Sequence, residues 1–158
     1  MLIIFEKFIF LIKLLFLFLL ITLIIAYNND QIQRQNVESS LSTFCDIVRE
    51  RGFVSKGYYE QIMSDVSKYN YEIRLVHKRS FIDSSYREVE DISTNEVILQ
   101  TLYNKAVPEQ QRLYRMKKGD QFKIIASPVQ PSFFRKLLGL GNEAGFIKSG
   151  MIYYTPDI

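Results

Sequence analysis

The chain has 158 residues, 20 of them basic and 17 acidic, with a formal net charge of +3; once an apolar leader is set aside, the remainder has the usual size of a single domain. Removing Lys7, Lys13 and Glu6, the only charges before residue 27, leaves 18 basic against 16 acidic residues, a balance that argues against nucleic acid as a partner. One cysteine, Cys45, and one histidine, His77, exclude an intrachain disulfide, a Cys-based metal site and a zinc cluster.

From Phe8 to Ala26 the chain is apolar except for Lys13, a stretch that at about 1.5 Å per residue matches the hydrocarbon thickness of a bilayer. A cleavable signal peptide has a shorter apolar core and a small-x-small cleavage site, whereas Ile24-Ile25-Ala26 supplies only one small residue. Residues 1–26 are therefore expected to be a retained transmembrane anchor and residues 27–158 an extracytoplasmic domain. Lys7 and Lys13 lie on the N-terminal side, and Tyr27-Asn28-Asn29-Asp30 carries no positive cluster, which predicts a single pass of the cell membrane with the N-terminus cytoplasmic. Glu6 has two readings: a carboxylate resting among the headgroups beside Lys7, or one meeting a positive group on another subunit within the membrane.

Gln31 to Arg51 reads as an amphipathic helix with Val37, Leu41, Phe44 and Val48 on one face and Glu38, Ser42 and Arg49 opposite. No glycine or proline separates it from the leader, so the two can form one long helix, capped by Gly52. Cys45 is expected to pack as a small apolar side chain. Ser55 caps a second helix carrying Tyr59, Ile62, Met63 and Val66, and Tyr69-Asn70 makes the turn after it. Tyr71 to Lys78 alternates as a strand, with Tyr71, Ile73, Leu75 and a partly buried, hydrogen-bonded His77 on one face.

Ser80 to Ser93, with Ser84-Ser85 at its middle, reads as a polar loop. Thr94 caps a helix from Asn95 to Lys105 with Val97, Ile98, Leu102 and Tyr103 inward, and Pro108 stops it. Leu113–Met116 and Gln121–Ala126 are short strands joined by the turn Lys117-Lys118-Gly119-Asp120. Pro131 is expected to open a short helix over Ser132 to Leu138. Gly139, Gly141 and Gly145 form a link to a last strand, Phe146 to Tyr154. The glycines follow a helix and precede a strand, and no Lys-Ser/Thr pair accompanies them, so they are not a phosphate loop. In Phe133-Phe134-Arg135-Lys136-Leu137-Leu138, the simplest role for Phe134, Leu137 and Leu138 is to cover one edge of the sheet; alternatively Phe133, Arg135 and Lys136 offer a surface to the membrane or a partner. The expected fold is α+β: a long N-terminal transmembrane and amphipathic helix, short helices, and a small antiparallel sheet of three to four strands.

The order of features resembles that of type IV pilin-like proteins, and the soluble part is similar to TadE-like pseudopilins of tight-adherence (Tad/Flp) pilus systems. The carriers are Phe44-Cys45-Asp46-Ile47-Val48-Arg49-Glu50-Arg51-Gly52, then Tyr59, the strand from Tyr71-Glu72-Ile73 to His77, Tyr114 to Phe122, and Gly150-Met151-Ile152. The resemblance implies a pilin-like fold and a subunit drawn from the membrane into a filament, in which Glu6 neutralises the N-terminal amine of a neighbour. Pilin precursors carry a short basic leader ending at a peptidase site, and nothing precedes Met1-Leu2-Ile3 here. Two expectations stay open: a true start upstream, or an unprocessed, permanent anchor.

The leading expectation is a structural subunit, a pseudopilin or minor pilin of a type IV pilus-like filament, oligomeric through its N-terminal helix and partnered by the membrane and other pilin-like subunits. The alternative is a permanently anchored scaffolding or binding subunit of an envelope secretion or conjugation apparatus. An enzyme is not expected, because scattered carboxylates with one histidine and one cysteine form no catalytic constellation. No catalytic, cofactor or metal residues are assigned.

Overall fold

No glycine or proline interrupts residues 2–51, so nothing in that stretch breaks the helical ladder. In the computed structural model these residues form one continuous helix of 50 residues, α1 (Leu2–Arg51), about 75 Å long at the helical rise. The structure describes residues 2–82, 88–108 and 111–153, with side chains for 5–80, 89–108 and 111–153. The helix ends at Gly52, whose φ of 70° is the left-handed geometry of a C-cap, with its N–H on the Val48 carbonyl at 2.9 Å.

Beyond α1 the chain runs through β1 (Phe53–Ser55), α2 (Lys56–Ser67), β2 (Tyr71–Ile82), β3 (Glu88–Ser93), α3 (Asn95–Leu102), β4 (Leu113–Arg115), β5 (Gln121–Pro128), α4 (Phe133–Leu137) and β6 (Phe146–Met151). Four strands make an antiparallel sheet in the order β3-β2-β5-β6, and β1 pairs with β4 in a separate two-stranded ribbon. The coarse α+β expectation holds.

Each strand of the central pair buries alternate residues. Tyr71, Ile73, Leu75 and His77 of β2 lie beside Phe122, Ile124 and Ala126 of β5, and all are buried. Onto this face α1 lays Val37, Leu41, Phe44, Cys45 and Val48, with the Phe44 and Phe122 rings 6.1 Å apart. Burial pushes the Cys45 thiol up, as suits a sulfur that packs rather than reacts. α2 adds Tyr59, Ile62 and Val66; the Ser55 hydroxyl accepts from the Tyr58 N–H at 3.3 Å as its N-cap. Asn70, at φ 61°, makes the turn into β2.

Four expectations are corrected. Ser80 to Ser93 is not a loop throughout: β2 continues to Ile82 and pairs with β3. Val89, Glu90, Asp91 and Ile92 are all exposed, so β3 is an edge strand wet on both faces and lacks the apolar alternation by which strands are recognised. Ser84-Ser85 and Tyr154 lie outside the described residues. α3 ends at Leu102, and only Ile98 and Leu102 are buried; Val97 and Tyr103 face outward. Pro131 precedes the N-cap, which is Ser132, its hydroxyl accepting from the Arg135 N–H. β5 runs through to Pro128, which opposes Tyr71 at the end of the ladder, where a missing N–H costs least. Glu38 and Arg49, expected on the face opposite the stripe, both bind the C-terminal strand: Glu38 takes Lys148 at 2.8 Å, and the Arg49 Nε donates to the Met151 carbonyl at 3.3 Å.

Arg49 also pairs with Asp46 and stacks over the Tyr153 ring at 4.5 Å. Gly150 makes room for it: a Cβ there would stand 2.2 Å from the Arg49 Nε. Because Leu41 is fully buried at the seam between helix and sheet, Leu41→Ala is expected to cost about 2–5 kcal/mol. Exposed Ile92→Ala should stay within about 0.5 kcal/mol. Denaturant unfolding of the full chain in detergent, followed by far-UV circular dichroism, measures both.

Candidate functional site

The two halves of α1 have opposite surroundings. Towards its C-terminus the helix is the spine of the domain. From Phe5 to Ile25 almost every large apolar side chain is exposed, Phe10, Phe16 and Phe18 among them at 68%, 65% and 69%. It is the one helix among the described residues long and apolar enough to cross a membrane. An uncovered apolar surface of this length is unstable in water and requires lipid or other helices around it. The backbone is satisfied internally, and the one hydroxyl in the segment, Thr22, donates to the Phe18 carbonyl at 2.9 Å, so from Leu14 to Ile25 no polar group needs water. Glu6 is exposed on this helix, one turn from its start.

Where the helix leaves the apolar segment, a collar from the far end of the chain closes around it. Tyr27 stands edge to face with Phe134 of α4, ring centroids 5.3 Å apart. Arg34 reaches Glu143 at 2.5 Å and lies over the Phe146 ring at 5.3 Å. Glu143, its side chain only 5% exposed, also accepts from the Tyr71 hydroxyl. Burial, then that hydrogen bond, pushes the Tyr71 hydroxyl well above the usual tyrosine range, keeping it a neutral donor. α4 thus packs on α1 rather than over a sheet edge, contrary to the expectation for Phe134, Leu137 and Leu138; Leu137 and Leu138 are about half exposed. Phe133 is 67% exposed and projects beside the end of the apolar segment. The Arg135 Nε donates to the Gly141 carbonyl at 2.6 Å and the Lys136 Nζ to the Gln130 side chain at 3.0 Å. The fold therefore gathers Phe133, Arg135 and Lys136 at the base of the domain, at the opposite end of the apolar segment from Glu6.

His77 is held in a second polar cluster that spacing does not reveal. Its Nε2 is 2.8 Å from Asp120 Oδ2 and its Nδ1 2.8 Å from the Tyr114 hydroxyl. A carboxylate only accepts, so Nε2 donates to Asp120, while Nδ1 shares a hydrogen bond with the Tyr114 hydroxyl. Asp120 also takes the Lys117 N–H at 2.7 Å, with the Arg79 Nε 3.6 Å away. Burial raises the Tyr114 hydroxyl, opposed by Ser93. The histidine and aspartate side chains are 2% and 5% exposed and both ring nitrogens are engaged, so no reacting group reaches them. The cluster joins β2, β4 and the turn before β5 inside the domain. No group of three or more His, Cys, Asp or Glu among the described residues is placed to hold a metal ion.

No protein-family model, curated protein or solved structure matches the chain.

Asp120→Ala leaves a buried imidazole N–H and the Lys117 N–H unpaired and is expected to destabilise the domain by about 3 kcal/mol, read as a shift in the denaturant midpoint. Glu143→Gln and Tyr71→Phe act on one network, so their effects should be non-additive by about 1 kcal/mol in a double-mutant cycle; simple additivity would disprove the shared clasp.

Proposed function

We propose that this protein is a single-pass, membrane-anchored structural subunit, pilin-like in build, which assembles with like subunits through its N-terminal helix. The observation that carries this reading is the division of α1: one continuous helix whose first half is left uncovered by the described residues and whose second half is the spine of an antiparallel domain. Such a helix is soluble in a bilayer and equally able to pack against copies of itself, which is the property a subunit needs to pass from membrane to filament. The basic residues Lys7 and Lys13 before the polar flank at Tyr27 orient the N-terminus to the cytoplasm and the domain to the outside. Glu6 then lies near the cytoplasmic end of the helix, where a carboxylate in apolar surroundings gains from a cationic group on a neighbour. The buried His77–Asp120 pair serves stability in this reading, and the function is assembly rather than catalysis.

Glu6→Leu and Glu6→Ala are expected to leave membrane insertion intact and abolish higher-order species on crosslinking in native membranes. Unchanged crosslinked ladders would overturn the assembly role. Recovery from membranes alone, never from sheared surface filaments, would instead identify a permanently anchored scaffolding subunit.

A further inference from the structure

α4 and the turn after it form a compact amphipathic surface whose main partner among the described residues is the exit of α1. Phe134 points inward onto Tyr27. Phe133, Leu137, Leu138 and Leu140 point outward, at 67%, 48%, 48% and 45% exposure. The Phe133 ring forms one wall of a shallow apolar hollow whose other walls are Thr22, Ile25, Ala26, Asn28, Asn29 and Ile32. It therefore lies alongside the last turn of the apolar segment and the first polar turn beyond it.

That position has a consequence for any bilayer that holds α1. The apolar run from Phe8 to Ala26 is about 28 Å long at the helical rise and fills the hydrocarbon layer. The headgroup layer then begins at Tyr27, and α4, packed against Tyr27, sits inside it. Arg135 and Lys136 are held by a carbonyl and an amide and make no ion pair with a carboxylate among the described residues, so their charges are available to lipid phosphate. Aromatic and aliphatic side chains beside two bases at the level of the headgroups are the composition of an interfacial element.

We infer that α4 is a second membrane contact: Phe133, Leu137, Leu138 and Leu140 insert into the outer edge of the lipid layer while Arg135 and Lys136 meet the phosphates. The domain is then fastened to the bilayer at two points, through the spanning helix and through α4. The inference rests on the span lying in a bilayer and is independent of filament assembly.

The chain contains no tryptophan, so single replacements report position directly. Phe133→Trp and Leu137→Trp probe α4 in two exposed places, Phe16→Trp probes the middle of the span, and Met151→Trp, beside Arg49 and about 33 Å along the helix from Tyr27, is a reference outside the membrane. Each full-length variant is reconstituted at high dilution in phosphatidylcholine–phosphatidylglycerol vesicles containing phospholipids brominated at shallow or deep acyl positions. The expected result is blue-shifted emission at 133 and 137 with loss of intensity to shallow bromines, loss at 16 to deep bromines, and none at 151. Quenching at 16 without quenching at 133 and 137 overturns the second contact and leaves the span standing. A blue shift at 133 that follows the protein-to-lipid ratio without bromine quenching assigns this face to another protein chain and also overturns it. No quenching at 16 removes the span and the inference with it.

Discussion

The packing of one helical stripe against one sheet face governs the molecule. Val37, Leu41, Phe44 and Val48 recur at helical spacing and are buried against Phe122, Ile124 and Leu75 and their neighbours. A four-stranded sheet with one apolar face cannot stand uncovered in water, and α1 is its principal cover. Because that helix is also the exposed apolar rod, the domain and the rod share one continuous helix. What happens to the rod, whether in lipid or among other helices, is delivered to the domain without an intervening joint.

Around this seam, polar contacts fix register rather than supply the bulk of cohesion. Arg49 clasps the end of β6 near the top of the helix, Glu38 and Lys148 meet midway, and Arg34 with Glu143 and Tyr71 closes the base. The pairs recur along one side of α1, so the C-terminal strand is tied to the helix at three heights. The exposed Glu38–Lys148 pair adds little energy although Lys148 lowers the affinity of the Glu38 carboxylate for protons. The base clasp, with its buried carboxylate, has more to lose, because Glu143 deprived of its partners would be a charge without compensation.

Much of this was legible in the sequence where a period was long enough to read. The stripe on α1, the alternation of β2 and β5, and the caps at Gly52 and Ser55 each follow from local chemistry. β3 escaped because Glu88, Glu90 and Asp91 leave it no apolar face, so only the backbone ladder declares it. β1, three residues long, exists through its pairing with β4; β4 itself was expected as a short strand, but its partner lies far off in the chain. His77 could be placed on a buried face, but its partner Asp120 stands 43 positions away in a stretch that reads as a turn. For the same reason α4 could be recognised as amphipathic while its seat on Tyr27 could not. Contacts of that kind are set by the return of the chain and leave no periodic trace.

The unbroken course of α1 through the end of its apolar segment has a geometric consequence. Each residue of a helix turns the chain by about 100° and advances it about 1.5 Å, and no glycine or proline lies there to absorb a change. The azimuth of the domain is therefore counted out residue by residue from the apolar segment. A single deletion within Asn28-Asn29-Asp30 would swing the domain by more than a quarter turn relative to the apolar rod and hardly alter its height. The length of this short connection sets a compass bearing as well as a distance.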